Sequence, residues 1–323
     1  MDNKSFKLIT IKSLTAILIL VWLVRVFAFE SIRVPSGQME NTLYEGDRLW
    51  VNKWSYGLRL PVTPLSVPFV YDSIRILRIP SYSDYLQLPY NRIAKTDPSL
   101  NDIILFNHPG SSYIKLPLDK KPLCLSRCIA KSGDSLVIKE GQIYLNGKLR
   151  TPLANELKPY LFPLADREAI VECIEKGNRQ VRISKIDQEK ALVFLSINEI
   201  NENFKGLEAS LQPYKTMHND LKLFIPKEGV RIEASKENVM KYKDIILNYE
   251  LPRAKISADS TLILNGKPKY FVTFKQNYYW MMSDNPEIAE DSRSFGFVPE
   301  THLIGKIPMV WKSRNNEWFK QLN

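Results

Sequence analysis

The apolar positions of the chain fall into two regimes. From Ser13 to Phe29 they are almost continuous: Leu14-Thr-Ala-Ile-Leu-Ile-Leu-Val-Trp-Leu-Val24, then past Arg25 through Val26-Phe-Ala-Phe29. A run of about 17 residues is at the short end of what crosses ~30 Å of hydrocarbon as a helix. Arg25 stands near one end, where a long side chain can reach the interface. Lys4, Lys7 and Lys12 in front predict an amino end held in the cytoplasm, with nearly all the chain across the membrane as a single-pass protein. A cleaved signal peptide is the competing reading. No small-x-small site follows promptly, because Val26-Phe27-Ala28 and Phe29-Glu30-Ser31 put bulky residues there. An uncleaved anchor is therefore the expectation.

Beyond residue 30 the apolar positions come in short bursts between turn signals, the pattern of β-strands. Asp47–Asn52, Asp102–Phe106, Ser135–Ile138 and Gln142–Leu145 read as strands, and Tyr278–Met282 and Ile304–Trp311 close the series. Asn146-Gly147 and Asn265-Gly266, each inside Leu-Asn-Gly-Lys, predict type I′ hairpins, since both residues tolerate positive φ. The Pro-containing stretches 61–68 and 80–89 are loops or edge material. Residues 152–255 differ in being more charged, and Ser235–Tyr249 is a helical candidate with half a capping box. The expected fold is mainly β: an antiparallel domain made of 31–151 and 256–323, carrying 152–255 as a cap-like α/β insertion, behind an amino-terminal tail and anchor at 1–30.

Composition refines this picture. An apolar share of 44% supports a sizeable core and excludes global disorder. The net charge of +10 comes from scattered Lys and Arg rather than a stripe, so nucleic acid is not an expected partner. Three cysteines make no disulfide framework. Cys124 and Cys128 lie four apart in a strand, ~13 Å at ~3.3 Å per residue, too far to bond. His108, His218 and His302 have no ligand spacing, there is no Gly-rich phosphate loop, and no cofactor or metal is expected. No Gly-x-Ser-x-Gly elbow occurs either.

Four stretches stand out together: Val34-Pro-Ser-Gly-Gln-Met-Glu-Asn-Thr-Leu43 with Glu45-Gly-Asp47; Val51-Asn-Lys-Trp-Ser-Tyr-Gly-Leu-Arg-Leu-Pro61; Asn101 to Pro109, reaching Arg127-Cys-Ile-Ala-Lys-Ser-Gly-Asp134; and Met281-Met-Ser-Asp-Asn285, with Glu290-Asp-Ser-Arg-Ser-Phe-Gly-Phe-Val-Pro-Glu300 and Gly305-Lys306. In this order, after one anchor, they resemble bacterial type I signal peptidases. The resemblance covers both ends of the soluble part and not the middle block. It implies an antiparallel β scaffold against the inner membrane and a serine–lysine dyad that cleaves signal peptides of exported precursors. A lysine serves as that base only when an apolar site lowers its pKa. An amide and a serine hydroxyl would stabilise the oxyanion.

The chain departs from the pattern at the reactive positions. Where the motif Ser-x-Ser-Met places its nucleophile, immediately before Met39, stands Gln38. Where Lys-Arg-x-x-Gly-x-Pro-Gly-Asp places its base, before Arg127, stands Ser126, while Ala130 and Ser132 replace Gly and Pro. Ser36 matches the oxyanion-hole serine. Asp284, Asn285, Asp291, Ser292 and Arg293 match the supporting residues, Asp291 and Arg293 as an ion pair, whereas Ser283, Pro286 and Ala289 replace Gly, Arg and Ser. Lys131, beyond Arg127, is expected to face solvent. Three readings follow. The first is an inactive or impaired homologue that binds signal peptides or assists an active paralogue. The second is an active peptidase using Ser36 with another base, and the third an envelope scaffold. The partners implied are signal peptides, membrane lipid and that paralogue.

Overall fold

The computed structural model describes residues 12–17, 20, 29–66, 73–74, 79–83, 85–177, 179–214 and 220–322. Most of the predicted anchor, together with His218, lies outside these. Residues 12–17 are helical, and Phe29, read as the last anchor residue, opens a strand. Among the described residues no helix is long and apolar enough to cross a membrane.

An antiparallel sheet organises the chain. Its strands are β1 (Phe29–Arg33), β2 (Arg48–Asn52), β3 (Ile103–Asn107), β4 (Leu123–Ala130), β5 (Tyr278–Met282), β6 (Val298–Pro299), β7 (Leu303–Lys312) and β8 (Trp318–Gln321). They run in the order β1-β2-β7-β3-β4-β5-β6, with β8 paired to β7. β3 shows why its sequence is a continuous apolar run. Ile103 and Leu105 point into one hydrophobic cluster with Met39, Leu43, Leu49 and Val310, and Ile104 and Phe106 into another with Tyr56, Tyr279, Met281 and Leu303. Period-two alternation covers both faces, so this strand is buried throughout.

The two Asn-Gly turns form as the sequence predicts. Asn146 and Gly147 have φ of 52° and 79°, joining Gln142–Leu145 to Lys148–Leu149, and Asn265 and Gly266 do the same at 52° and 78°. The helical candidate also forms: Ser235 caps Lys236–Lys241 by accepting from the Asn238 amide, and helical turns continue to Glu250.

Residues 152–255 pack in two ways. Lys158–Pro163, Lys190–Leu195, Ile183–Lys185 and Gln212–Pro213 make a separate sheet. With the helices Arg167–Lys176 and Ile197–Asn203 it encloses a core of its own around Phe162, Ile170, Val193 and Phe204. By contrast Leu221–Phe224 pairs with Ser135–Lys139, and Val239, Ile245 and Ile246 join the core of Ile129, Leu136 and Trp280.

Candidate functional site

Ser36, Gln38 and Met39 sit on one tight turn. Ser36 is extended (φ −156°, ψ 167°), and Gly37–Met39 form a single 3₁₀ turn. Met39 is 1% exposed in the core beside Leu43, and the Leu43 amide donates to the Met39 carbonyl at 2.7 Å. This apolar anchor holds Gln38 and Ser36 half-buried at the wall of a cavity of about 100 Å³, which also takes in His108, Tyr113, Cys124 and Glu290. The backbone of the turn is held from the far side: the Asn285 amide donates to the Gln38 carbonyl at 2.9 Å.

His108 and Cys124 in this cavity are poor proton acceptors. The Gly110 amide donates to His108 Nδ1 at 2.9 Å, which puts the ring proton on Nε2, 3.1 Å from Glu290 Oε1. Both ring nitrogens are therefore engaged, and neither offers a lone pair to Ser36. Burial, and then the Glu290 carboxylate, push the Cys124 thiol up to about 12, so it stays protonated at neutral pH. No lysine hydrogen-bonds to Ser36 among the described residues.

Ser126 lies in the middle of β4 with 0% exposure, its Oγ 3.2 Å from the Oγ of buried Ser283. The contact joins β4 to the residue that follows β5. Next to them Arg127, 2% exposed, grips Asp284 with Nε and Nη2 at 2.8 and 2.6 Å and donates from Nη1 to the Asn101 carbonyl. Burial alone would push the Arg127 guanidinium down; its hydrogen bonds to Asp284 more than offset this and raise its pKa. Asp284 also accepts from Thr42 Oγ1 at 2.5 Å. Asp291 accepts from the Ser283 amide at 2.7 Å and from Arg293 Nη2 at 2.5 Å, and caps the short helix Ser292–Phe295. Ser292 Oγ accepts from the Met281 amide at 2.9 Å.

The sequence-predicted residues are thus brought into one region in two parts. Ser36 and Gln38 line the cavity, while Ser126 is bonded away from it to Ser283. Lys131 is exposed, as expected. Sequence reasoning missed the His108–Glu290 pair, because nothing in the chain marks partners so far apart. It missed Lys158 as well. That lysine lines a second small hollow with Ser283 and Asp284, and burial pushes its ammonium down. Among the described residues no group of three or more His, Cys, Asp or Glu side chains is gathered as a metal site.

Comparison with known proteins bears on what this arrangement descends from. The family model described as "Signal peptidase, peptidase S26" matches residues 7–312. "Signal peptidase I" of Buchnera aphidicola subsp. Acyrthosiphon pisum is 26% identical over 98% of this chain and 79% of its own length. That of Haemophilus influenzae is 24% identical over 95% of this chain and 71% of its own. A solved signal peptidase I from Enterococcus faecalis aligns with 66% of this chain and 97% of its own at 15% identity, with a TM-score of 0.25, too low to carry weight.

Proposed function

This chain belongs to the signal peptidase, peptidase S26, family, and from that premise we propose that it is a membrane-anchored member which captures signal peptides without cleaving them. The observation that carries this reading is at residue 126. The position that should hold a desolvated amine holds a hydroxyl, buried and bonded to a second hydroxyl. At residue 38 a carboxamide replaces the nucleophile, its nitrogen lone pair delocalised into the carbonyl. With acceptor and base both missing, an acyl-transfer site keeps only a small residue of its rate.

Capture is a different matter, because it needs backbone and pockets rather than reactive groups. β5 pairs with β4 only from Arg127 to Ala130. The β5-facing edge of Leu123–Leu125 borders the cavity that holds Ser36 and Gln38, and an extended peptide can add a strand there. An active enzyme using Ser36 would need a base in this cavity, and the engaged nitrogens of His108 argue against one. We place the protein in the inner membrane, anchored once, with the main domain outside the cytoplasm. Residues 31–151 and 256–323 are read as the peptidase-like domain and 152–255 as its insertion, of which the stretch around 158–213 keeps a core of its own while 221–246 packs into that domain.

The reading is tested with the full chain in vesicles and a signal-bearing precursor. The expected result is saturable binding of the signal peptide with no cleavage, and cleavage on combining Gln38→Ser with Ser126→Lys. Failure of the peptide to bind would contradict the proposal.

A further inference from the structure

Two side chains of the inserted block reach across to the turn that carries Gln38. Arg182 Nη1 lies 2.7 Å from Glu40 Oε2, and Asn41 Nδ2 donates to Glu199 Oε2 at 2.6 Å. Glu40 and Glu199 are nearly buried, with 6% and 8% exposure. Neither contact is casual. Glu40 Oε2 is shared with Asn285 Nδ2 at 3.2 Å, so one carboxylate is held by the insertion on one side and by the main domain on the other. Glu199 is fixed by Arg179 at 2.7 Å and by a full capping box that starts its helix, in which the Ser196 amide donates to Glu199 Oε2 at 2.9 Å. Asn41 is in the left-handed region, at φ 73°, and its side chain is the one the block holds. Arg182 Nη2 also lies 3.6 Å from where a Cβ on Gly37 would be.

We propose that the inserted block is a clamp that sets the conformation of the Gly37–Thr42 turn, with Arg182 and Glu199 as positioning residues. Two short charged or charge-assisted bonds, both part-buried and each ending on a nearly buried carboxylate, suit this role. The 3₁₀ turn they grip is too short to be stable by itself. The consequence for peptide capture rests on the function proposed above; the mechanical statement does not. The block then stands to the cavity as a brace, and anything that loosens the block loosens the wall bearing Ser36 and Gln38.

Hydrogen exchange in the full chain tests this. The amides of Glu40, Thr42 and Leu43 close the turn by donating to the Gly37 and Met39 carbonyls. Arg182→Met, and Arg182→Met combined with Asn41→Gly, which tolerates the positive φ, should lower their protection by ~10-fold, the loss expected of a hydrogen bond to a charged group. Amides of Ile103–Asn107 and the urea midpoint of the main domain should stay as they are, and Arg182→Lys should restore part of the loss. Signal-peptide affinity should fall several-fold in the combined variant. Unchanged turn protection in that variant, with the fold intact, would overturn the clamp. If the wild-type chain binds no signal peptide, the capture reading fails, and the exchange measurement still decides the clamp.

Discussion

A hydroxyl donates or accepts a hydrogen bond, but at neutral pH it does not take a proton from another hydroxyl. That limits what Ser126 and Ser283 can do: 3.2 Å apart and buried, they satisfy one another. The charged neighbours carry structure instead. Asp284→Ala would leave the Arg127 guanidinium buried without its carboxylate. A loss of about 3–5 kcal/mol in urea unfolding is expected, the scale of a broken buried pair. A second buried cation makes a pH prediction. Lys121 is 5% exposed, with Nζ 3.2 Å from His302 Nε2 and 5.6 Å above the ring of Tyr249. Burial, then Arg59, lower its pKa to about 8. The unfolded lysine titrates near 10.4, so between about pH 8 and 10 the unfolded chain binds more protons and this group makes stability rise with pH. Below pH 8 the cost is present in full. Lys121→Met should therefore be more stable than wild type at pH 7 by about 1 kcal/mol or more, with the gain gone by about pH 10. Urea unfolding at the two pH values checks both the size and the sign.

At the scale of elements, the pattern of apolar positions was a good guide where a strand is buried on both faces or a turn needs positive φ. β3, the two Asn-Gly hairpins and the Ser235-capped helix all lie where the sequence places them. Pattern was silent on pairs far apart in the chain. Ser126 meets Ser283, and His108 meets Glu290, through the order β3-β4-β5, which no local spacing encodes. The motif residues meet in space, Gln38 through Asn285 and Arg127 through Asp284, but their spacing does not show that the Ser126 hydroxyl turns toward Ser283. Some glycines acquire meaning only from such pairings. Gly305 lies in β7 against β2, and a Cβ there would collide with the backbone carbonyl of Asn52. Gly305→Ala should cost about 1–3 kcal/mol, the usual range for overpacking. It should also speed amide exchange in β2 and β7 while leaving the sheet Lys158–Pro163/Lys190–Leu195 unaffected.

Considered whole, the molecule has more than one hydrophobic core, and the division does not follow the change in charge at residue 152. Phe162, Ile170 and Phe204 make a core of their own, whereas Val239 and Ile246 complete the one around Trp280. Phe162→Ala should cost about 3–5 kcal/mol within the sheet that contains Lys158–Pro163. Exchange should quicken through 158–213, and less through 103–107, so unfolding monitored by the two regions should separate. Arg182, just before a strand of that sheet, and Glu199, on the helix packed with it, bond to Glu40 and Asn41 beside Gln38, which ties this part of the chain to the part its family motifs mark. The central claim, that this scaffold is retained without its chemistry, is tested most directly by a long incubation of the wild-type chain with a signal-bearing precursor, in parallel with Ser36→Ala. The account predicts intact precursor in both, at the level of the protein-free control. Cleavage by the wild type at the signal-peptide junction, abolished by Ser36→Ala, would contradict it.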